Sequence, residues 1–251
     1  MNIVIPMAGL GSRFPQEIYK VPKPMIEIGN TGKSMIQCAI ESLGFHGKYY
    51  FIINEELITK YDINSVLKSF MVDPYELIPI NYVTEGPACS ALLAKKYINN
   101  DDPLVITNCD QIMEWGEHHD FIKFATESKA DAAVVTYPSI TEKNSYVQLN
   151  FKNEGVKFAE KKVISKYSLN GIHYWKKGSD FIKSAEIMIF RNLRVNNEFY
   201  IAPTFNEMLV EDKIIIVYHI GIPRHWAVGT PEDLNKYLEH RKFIEECKST
   251  N

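Results

Sequence analysis

Short apolar runs rich in β-branched and aromatic residues alternate with helical stretches along the first half of the chain. The apolar runs predict β-strands over residues 3–7, 49–53, 78–83, 104–107 and 132–137. The stretches between them predict helices over residues 34–43, 55–70, 88–97 and 118–129. Strands that are apolar almost throughout are typical of a sheet buried on both faces. This half therefore predicts an α/β fold with a mostly parallel sheet flanked by helices.

The pattern changes after Pro138. Residues 146–150, 156–160, 171–175 and 214–218 predict strands in a smaller, more antiparallel portion. Helices are predicted over residues 179–192, 203–211 and 231–245. Since no stretch with the composition of a linker separates the two parts, we expect a single domain over residues 1–251, with halves at 1–137 and 138–251.

The last predicted helix has a clear start. Thr230 is suited to be its N-cap and Pro231 to be its first helical residue. Glu232 and Asp233 follow, where negative charge is favourable at the positive end of the helix dipole. The apolar pattern of this helix allows it to pack on its own domain or to join two copies in a homodimer.

Composition and charge narrow the range of functions. The 251 residues are 45% hydrophobic and 24% charged, which is ordinary for a globular protein. The chain has 28 Lys and Arg and 31 Asp and Glu, which gives a net charge of -3. No global positive field therefore attracts nucleic acid or an anionic membrane. The four cysteines have no Cys-x-x-Cys spacing, and no apolar stretch reaches the about 18 residues of a membrane span. We therefore expect a cytoplasmic protein whose phosphate-binding charges, if any, are local.

A glycine turn follows the first predicted strand directly. Gly9 and Gly11, with Ala8 and Ser12 beside them, let backbone N–H groups approach a phosphate chain. A dinucleotide fingerprint would need a third glycine where Phe14 stands, and a Walker A loop would need Gly-Lys-Ser/Thr. The turn alone therefore indicates a phosphate site without identifying the ligand.

A locally cationic segment continues from this turn. The segment has three basic residues, Arg13, Lys20 and Lys23, and one acidic residue, Glu17. It is therefore positively charged in an acidic protein. Lys23 stands between two prolines, which restrict the backbone and hold one cation in place with little loss of entropy. The simpler interpretation, a solvated loop stiffened by proline, remains open.

A carboxylate follows the predicted strand over residues 104–107. Asp110 comes just past the end of this strand, where open α/β sheets bind their ligands. Since Mg²⁺ prefers one or two carboxylates together with phosphate oxygens and water, Asp110 is our predicted magnesium ligand. An aspartate that caps a turn is the alternative. Asn108 stands where the Asp-x-Asp of a glycosyltransferase would need an acid.

The glycine turn with Arg13, followed by Pro22-Lys23-Pro24, resembles the signature of the sugar-1-phosphate nucleotidyltransferases, or pyrophosphorylases. The resemblance extends at motif spacing to Gly229-Thr230. It implies a Rossmann-like sheet that binds a nucleoside triphosphate at the carboxyl ends of its strands. The first half would bind the nucleotide, with Arg13 and Lys23 as catalytic residues that neutralise charge in the transition state, and the second half would bind the acceptor.

The same resemblance implies roles for three further segments. The turn at Glu85-Gly86 would read the nucleobase through main-chain groups. Ala159-Glu160-Lys161 resembles a Val-Glu-Lys motif whose Glu contacts the acceptor and whose Lys contacts its phosphate. Asn170-Gly171 resembles a strand that lines the acceptor pocket. Surface charge and sheet core are the simpler interpretations. The nucleotide-binding set is then Ala8, Gly9, Gly11, Ser12, Glu85, Gly86 and Asn108.

One position departs from the family pattern. Many members have a second metal-binding Asp two residues before the Gly-Thr dipeptide, where this chain has Ala227. Either Asp110 anchors the metal alone, or another acid such as Glu198 replaces the missing one. Arg194, in the same polar and aromatic segment, is suited to hold an anionic acceptor bidentately. An ordinary loop after a helix remains the alternative for this segment.

The predicted reaction is attack of an acceptor phosphate on the α-phosphorus of a nucleoside triphosphate, with release of pyrophosphate. The acceptor is a small phosphorylated metabolite, either a sugar 1-phosphate or phosphoglutamine. The turn at residues 83–86 also resembles that of small bacterial capsule-locus cytidylyltransferases, which favours CTP and a role in capsule polysaccharide biosynthesis. A glycosyltransferase that uses a sugar nucleotide and a non-catalytic nucleotide-binding module are the competing functions.

Overall fold

The structure, a computed structural model, describes residues 1–9, 11–115, 120–222 and 224–249. Its strands are β1 (Asn2–Met7), β2 (Lys48–Asn54), β3 (Tyr75–Ile80), β4 (Leu104–Ile106), β5 (Gln111–Met113), β6 (Ala132–Pro138), β7 (Ser145–Leu149), β8 (Gly155–Glu160), β9 (Tyr167–Trp175), β10 (Ile215–His219) and β11 (His225–Ala227). Its helices are α1 (Met35–Leu43), α2 (Glu55–Thr59), α3 (Ile63–Phe70), α4 (Pro87–Leu92), α5 (Lys95–Ile98), α6 (Phe121–Glu127), α7 (Gly178–Phe190), α8 (Thr204–Val210) and α9 (Pro231–Ser249), with a short 3-10 helix at Lys23–Met25.

The central sheet contains strands from both halves of the chain, in the order β10-β6-β9-β4-β1-β2-β3. β1 pairs in parallel with β2 and β4, and β2 pairs in parallel with β3. β9 lies between β4 and β6 and is antiparallel to both. The carboxyl ends of β1 and β4 therefore meet at one edge of the sheet, and helices flank it, which confirms the predicted fold class.

The prediction of an antiparallel arrangement for residues 214–218 is wrong. β10 pairs with β6 in parallel, with Ile215 opposite Ala132. The physical reason lies in the connection: after β9 ends at Trp175, two helices packed on each other, α7 and α8, carry the chain away and back. β10 therefore begins at the same end of the sheet at which β9 finishes. β6 also begins at that end, so β10 and β6 run in the same direction.

Several predicted boundaries also differ from the structure. The helix predicted over residues 55–70 is divided into α2 and α3, because Asp62 caps α3 in a left-handed conformation with φ 48°. The helix predicted over 88–97 is likewise divided into α4 and α5. The strand predicted over 78–83 lies at Tyr75–Ile80. The helix predicted over 118–129 is observed as α6, and its predicted start at His118 lies outside the described residues.

Two short strands escaped the sequence pattern. β5 and β11 form a separate antiparallel ribbon in which Gln111 lies opposite Ala227. Runs of three residues are too short for a period-2 pattern to reveal. This ribbon begins one residue after Asp110 and therefore belongs to the surroundings of the predicted metal ligand.

Two apolar layers cover the faces of the sheet, because successive strand residues point to opposite sides. Val4, Ile106 and Trp175 belong to one layer, and Ile5 and Val105 to the other. A third cluster joins α9 to the segment around the glycine turn. Thr230 Oγ1 accepts the backbone N–H of Asp233 at 3.1 Å, as expected for the N-cap of α9. Across the described residues, every helix is too short or too polar to cross a lipid bilayer.

We expect Phe205→Ala to lower the free energy of unfolding by about 3–5 kcal/mol, because it removes a fully buried ring. Phe205 stacks on Trp175 with ring centroids 4.8 Å apart. Phe190→Ala is the matched control, since this ring is 91% exposed at the end of α7, and we expect a change of less than about 0.5 kcal/mol. Urea unfolding followed by circular dichroism measures both. Equal losses in the two variants would contradict this description of the core.

Candidate active site

The glycine turn closes against the segment that contains Lys23. Gly11 has a left-handed φ of 61°, and a side chain there would lie 3.1 Å from Lys23 Cβ. The backbone N–H of Phe14 donates to the carbonyl of Gly11 at 3.0 Å, which completes the turn. Ala8 is buried, while Gly9 and Ser12 are exposed. Leu10, in the middle of the motif, lies outside the described residues.

Lys23 forms an ion pair with Asp110. Its Nζ lies 2.5 Å from Asp110 Oδ2, and the two side chains are only 13% and 21% exposed. Burial by itself lowers the pKa of Lys23, but the neighbouring Cys109 and the Asp110 carboxylate outweigh this effect and raise the pKa above its ordinary value. Arg13 is close enough to oppose that rise by like-charge repulsion. The structure thus brings the three predicted charged residues into one electrostatic environment.

The chain around Gly229 encloses Asp110 from another side. The backbone N–H of Val228 donates to the carbonyl of Asp110 at 2.9 Å. A side chain at position 229 would overlap Asp110 Oδ2, so only glycine allows this close approach. Nearby on β11, burial lowers the pKa of His225 to about 4, against the opposing effect of Asp110. Its imidazole is therefore neutral near pH 7.

Glu85 and Gly86 form a turn that is joined to the second half of the chain at Phe199. The backbone N–H of Phe199 donates to the carbonyl of Glu85 at 2.8 Å, and its carbonyl accepts from Ala88 at 3.0 Å. Gly86 has φ 128°, and a Cβ there would lie 2.5 Å from the Phe199 oxygen. The turn predicted to read the base therefore depends on a backbone contact with the second half of the chain.

Phe199 follows a tight hairpin turn. Val195 and Glu198 exchange backbone hydrogen bonds of 3.0 Å, while Asn196 and Asn197 between them have φ of 49° and 66°. Two left-handed residues in a two-residue hairpin are typical of a type I′ turn, which Asn favours. The loop after α7 thus contains a defined two-residue hairpin turn.

Arg194 precedes this hairpin and faces the base-reading turn. Its guanidinium forms an ion pair with Glu85 and lies 4.1 Å from the centre of the Phe199 ring. It also donates to the Asn192 side chain at 2.6 Å and to the Asn197 carbonyl at 3.1 Å. Its predicted role in holding an anionic acceptor stays a prediction, and the contacts observed link the two halves instead.

The predicted acceptor residues Glu160 and Lys161 belong to a polar cluster. Ser145 Oγ donates to the buried Glu160 carboxyl group. Burial raises the pKa of Glu160, and the nearby Glu198 adds to that rise, whereas Ser145 and Lys161 reduce it. Lys161 Nζ donates to the Tyr200 hydroxyl, which itself donates to Glu198. The side chains of Glu160, Lys161 and Glu198 are therefore neighbours.

Asn170 and Gly171 lie on β9 beside the residues that follow β4. A side chain at Gly171 would overlap the Asn108 amide and lie 3.0 Å from Gln111 Oε1. Asn170 Oδ1 accepts the backbone N–H of Ile172 at 3.0 Å, and Gln111 Nε2 donates to Thr107 Oγ1 at the same distance. The predicted nucleotide residue Asn108 and the predicted acceptor residue Gly171 are therefore in contact.

The donor set around Asp110 fits a magnesium ion that takes most of its ligands from substrate. Asp110 offers a partly exposed carboxylate at the carboxyl edge of the sheet, next to the glycine turn. Within the described ranges, no group of three or more His, Cys, Asp or Glu side chains could hold a metal by itself. Glu198 as a second ligand stays a prediction, since its observed partner is Tyr200.

Four residues that shape this site have contacts that the sequence did not predict. Phe199 and Tyr200 connect the turn at Glu85-Gly86 to Lys161. Gly229 encloses Asp110, and Gln111 lies beside Gly171. The Asn196-Asn197 pair was a usable signal, because such pairs favour type I′ hairpins. The other contacts join residues that are far apart in sequence, so no local sequence pattern predicts them.

Comparisons with known proteins agree with this geometry. A family model described as nucleotidyl transferase matches residues 3–236.

The chain is similar to a nucleoside-diphosphate-sugar pyrophosphorylase from Vibrio cholerae RC9, with TM-score 0.82 and 20% identity. The match covers 94% of this chain and 99% of that chain. It is also similar to an inositol-1-phosphate CTP transferase from T. maritima, with TM-score 0.71, 16% identity, and 94% and 92% covered. A UDP-glucose pyrophosphorylase complexed with UDP-glucose gives TM-score 0.74, 17% identity, and 95% and 98% covered. No curated protein matches the sequence.

We expect Gly86→Ala to lower the free energy of unfolding by at least about 2 kcal/mol, because a methyl group there meets the Phe199 backbone and its φ of 128° is strained for alanine. Gly32→Ala is the matched control, since Gly32 also has a positive φ, of 70°, but open space around its Cα. It should lose only about 1 kcal/mol. Urea unfolding of both variants separates the effect of the close contact from that of backbone strain. Equal losses of unfolding free energy would show that the Phe199 contact does not contribute to stability.

Proposed function

Because the chain belongs to the nucleotidyl transferase family, we propose that it transfers a nucleoside monophosphate from a nucleoside triphosphate to the phosphate of a small acceptor, releasing pyrophosphate. The observation that carries this proposal is the ion pair of Lys23 with Asp110 beside the glycine turn, which also contains Arg13. Two anions must meet in such a reaction, and fixed charges placed where they meet supply the required stabilisation.

The chemistry needs no general base. A phosphate monoester has a second pKa of about 6, so the acceptor is mostly a dianion at neutral pH. An oxygen of this dianion forms a bond to the α-phosphorus. The bond from that phosphorus to the bridging oxygen breaks, and pyrophosphate leaves with the electron pair. Arg13 and Lys23 stabilise the charge that develops on the phosphates, and the exposed backbone of the glycine turn orients the triphosphate.

Asp110 is the residue that would hold magnesium. The ion would supply neutralisation of phosphate charge, which is its usual part in phosphoryl transfer. Asn108, two residues earlier, stands where a glycosyltransferase Asp-x-Asp would need an acid, and this supports nucleotidyl transfer over glycosyl transfer.

We propose CTP as the donor. The support is the likeness of residues 83–86 to small capsule-locus cytidylyltransferases and the similarity of the fold to an inositol-1-phosphate CTP transferase. The turn at Glu85-Gly86, held by Phe199, would present main-chain groups to the base. Nucleoside triphosphates and a set of cysteines without a disulfide both suit a cytoplasmic enzyme.

The acceptor in this proposal is a sugar 1-phosphate or phosphoglutamine, consumed in capsule or cell-surface polysaccharide biosynthesis. Lys161 carries the positive charge suited to the acceptor phosphate, and Glu160 is a buried carboxyl group suited to a hydroxyl or amino group. Glu198 and Tyr200 complete this cluster. Both acceptor types offer a phosphate at one end and hydrogen-bond donors at the other, so the cluster suits either.

We expect pyrophosphate release when the protein is incubated with Mg²⁺, CTP and one member of a panel of sugar 1-phosphates, phosphocholine and phosphoglutamine. A coupled pyrophosphatase assay with ATP, GTP and UTP in parallel gives the base preference. Omission of each acceptor is the control for hydrolysis. Tight binding of CTP without pyrophosphate release from any pair would instead support a nucleotide-binding module.

We expect Asp110→Ala and Lys23→Ala each to lower turnover at least about 100-fold, the scale of losing one fixed electrostatic contact. Lys20→Ala and Asp101→Ala are the matched controls, because both residues are exposed and Asp101 pairs with Lys177 away from the site. Steady-state rates with the active pair measure the effect, and circular dichroism verifies folding. Rates close to wild type in folded Asp110 and Lys23 variants would remove this site assignment.

A further inference from the structure

The Lys23 ammonium lies where a cation bound to Asp110 Oδ2 would lie. Its Nζ is 2.5 Å from that oxygen, and both side chains are largely shielded from water. A charge-assisted hydrogen bond between two shielded groups is among the stronger side-chain interactions. A metal ion can therefore use this oxygen only if Lys23 withdraws.

Asp110 itself has little freedom to avoid this pair. Its backbone carbonyl is held by Val228, and the Gly229 backbone lies directly against Oδ2. An exchange of cations at this oxygen thus depends on movement of Lys23 rather than of Asp110.

The stem of Lys23 is held at its base, so a movement of its charged end takes place in the outer part of the side chain. Pro22 and Pro24 restrict the backbone, and Gly11 lies against Lys23 Cβ. The glycine turn that would hold the triphosphate is therefore in contact with the base of the same side chain.

We propose that Lys23 is an internal counter-ion of Asp110, which keeps a divalent cation off Asp110 Oδ2 until a nucleoside triphosphate draws the ammonium to its phosphates. This rests on the proposed function, since it takes Asp110 as the metal ligand. The metal and the nucleotide then bind with positive coupling. The nucleotide draws Lys23 away from Asp110, which frees the carboxylate for the metal, and the metal on Asp110 frees Lys23 for the nucleotide. By linkage, each raises the affinity of the other by the same factor.

The test is Mn²⁺ binding to the nucleotide-free protein, measured from the electron paramagnetic resonance signal of free Mn²⁺. We expect Lys23→Met and Lys23→Gln to bind Mn²⁺ at least about tenfold more tightly than wild type, because a contact between charged groups no longer has to break. Lys20→Met is the matched control: it removes one positive charge from the same segment, at an exposed position, and should bind Mn²⁺ as wild type does.

Two further arms identify the site and the coupling. Asp110→Asn in the Lys23→Met background should abolish the tight Mn²⁺ site. A non-hydrolysable CTP analogue should raise the Mn²⁺ affinity of wild type by a larger factor than that of Lys23→Met, by about fivefold or more. Circular dichroism and thermal unfolding verify folding, and either of the two Lys23 substitutions suffices for the comparison.

Wild type that binds Mn²⁺ without nucleotide as tightly as the folded Lys23 variants would overturn the inference. So would a gain in the Lys20→Met control equal to that of Lys23→Met, because the effect would then be one of net charge. Failure of the proposed function is distinguishable, since it appears as absence of pyrophosphate release with every nucleotide and acceptor pair. Pyrophosphate release together with unchanged Mn²⁺ binding would reject the counter-ion and leave the proposed function intact.

Discussion

The ion pair between Lys23 and Asp110 is the interaction on which the geometry of the candidate site depends. It joins a residue that follows β1 to a residue that follows β4, at the edge where these two parallel strands end. The proline-flanked Lys23 segment, the glycine turn and the ribbon of β5 and β11 all meet around it. Two opposite charges, shielded from water and facing each other, are tolerated because each compensates the desolvation of the other.

A second constraint connects the nucleotide side to the acceptor side. Phe199 uses its backbone to hold the turn at Glu85-Gly86, and the next residue, Tyr200, bridges Lys161 and Glu198. Two consecutive residues of one short segment, Phe199 and Tyr200, thus contact both candidate subsites. A change in the hairpin before Phe199 would therefore shift the turn at Glu85-Gly86 and the cluster around Lys161 together.

The sequence was sufficient for what depends on local pattern. Apolar strand runs and the cap at Thr230 led to the fold class and to the start of α9, and the motifs led to Lys23 and Asp110, which form an ion pair in the structure. The parallel pairing of β10 escaped prediction, since it is set by the course of α7 and α8 and not by its own residues. The partners of Arg194 and Glu198 escaped for a similar reason: a charged side chain signals its chemistry, whereas the residue it meets depends on tertiary packing.

The reversed strand β9 has a consequence for how the molecule assembles. β4 is wholly buried and lies between β1 and β9, so a chain elongated only as far as β6 would leave one side of β4 without hydrogen-bond partners. An unpaired, apolar strand edge is a template for association with other chains. The sheet is thus completed only by β9, which is synthesised after β4 and β6. Contacts between residues this distant in sequence slow folding. Nascent chains would be vulnerable to aggregation until Trp175 has been synthesised and β9 has inserted between its neighbours.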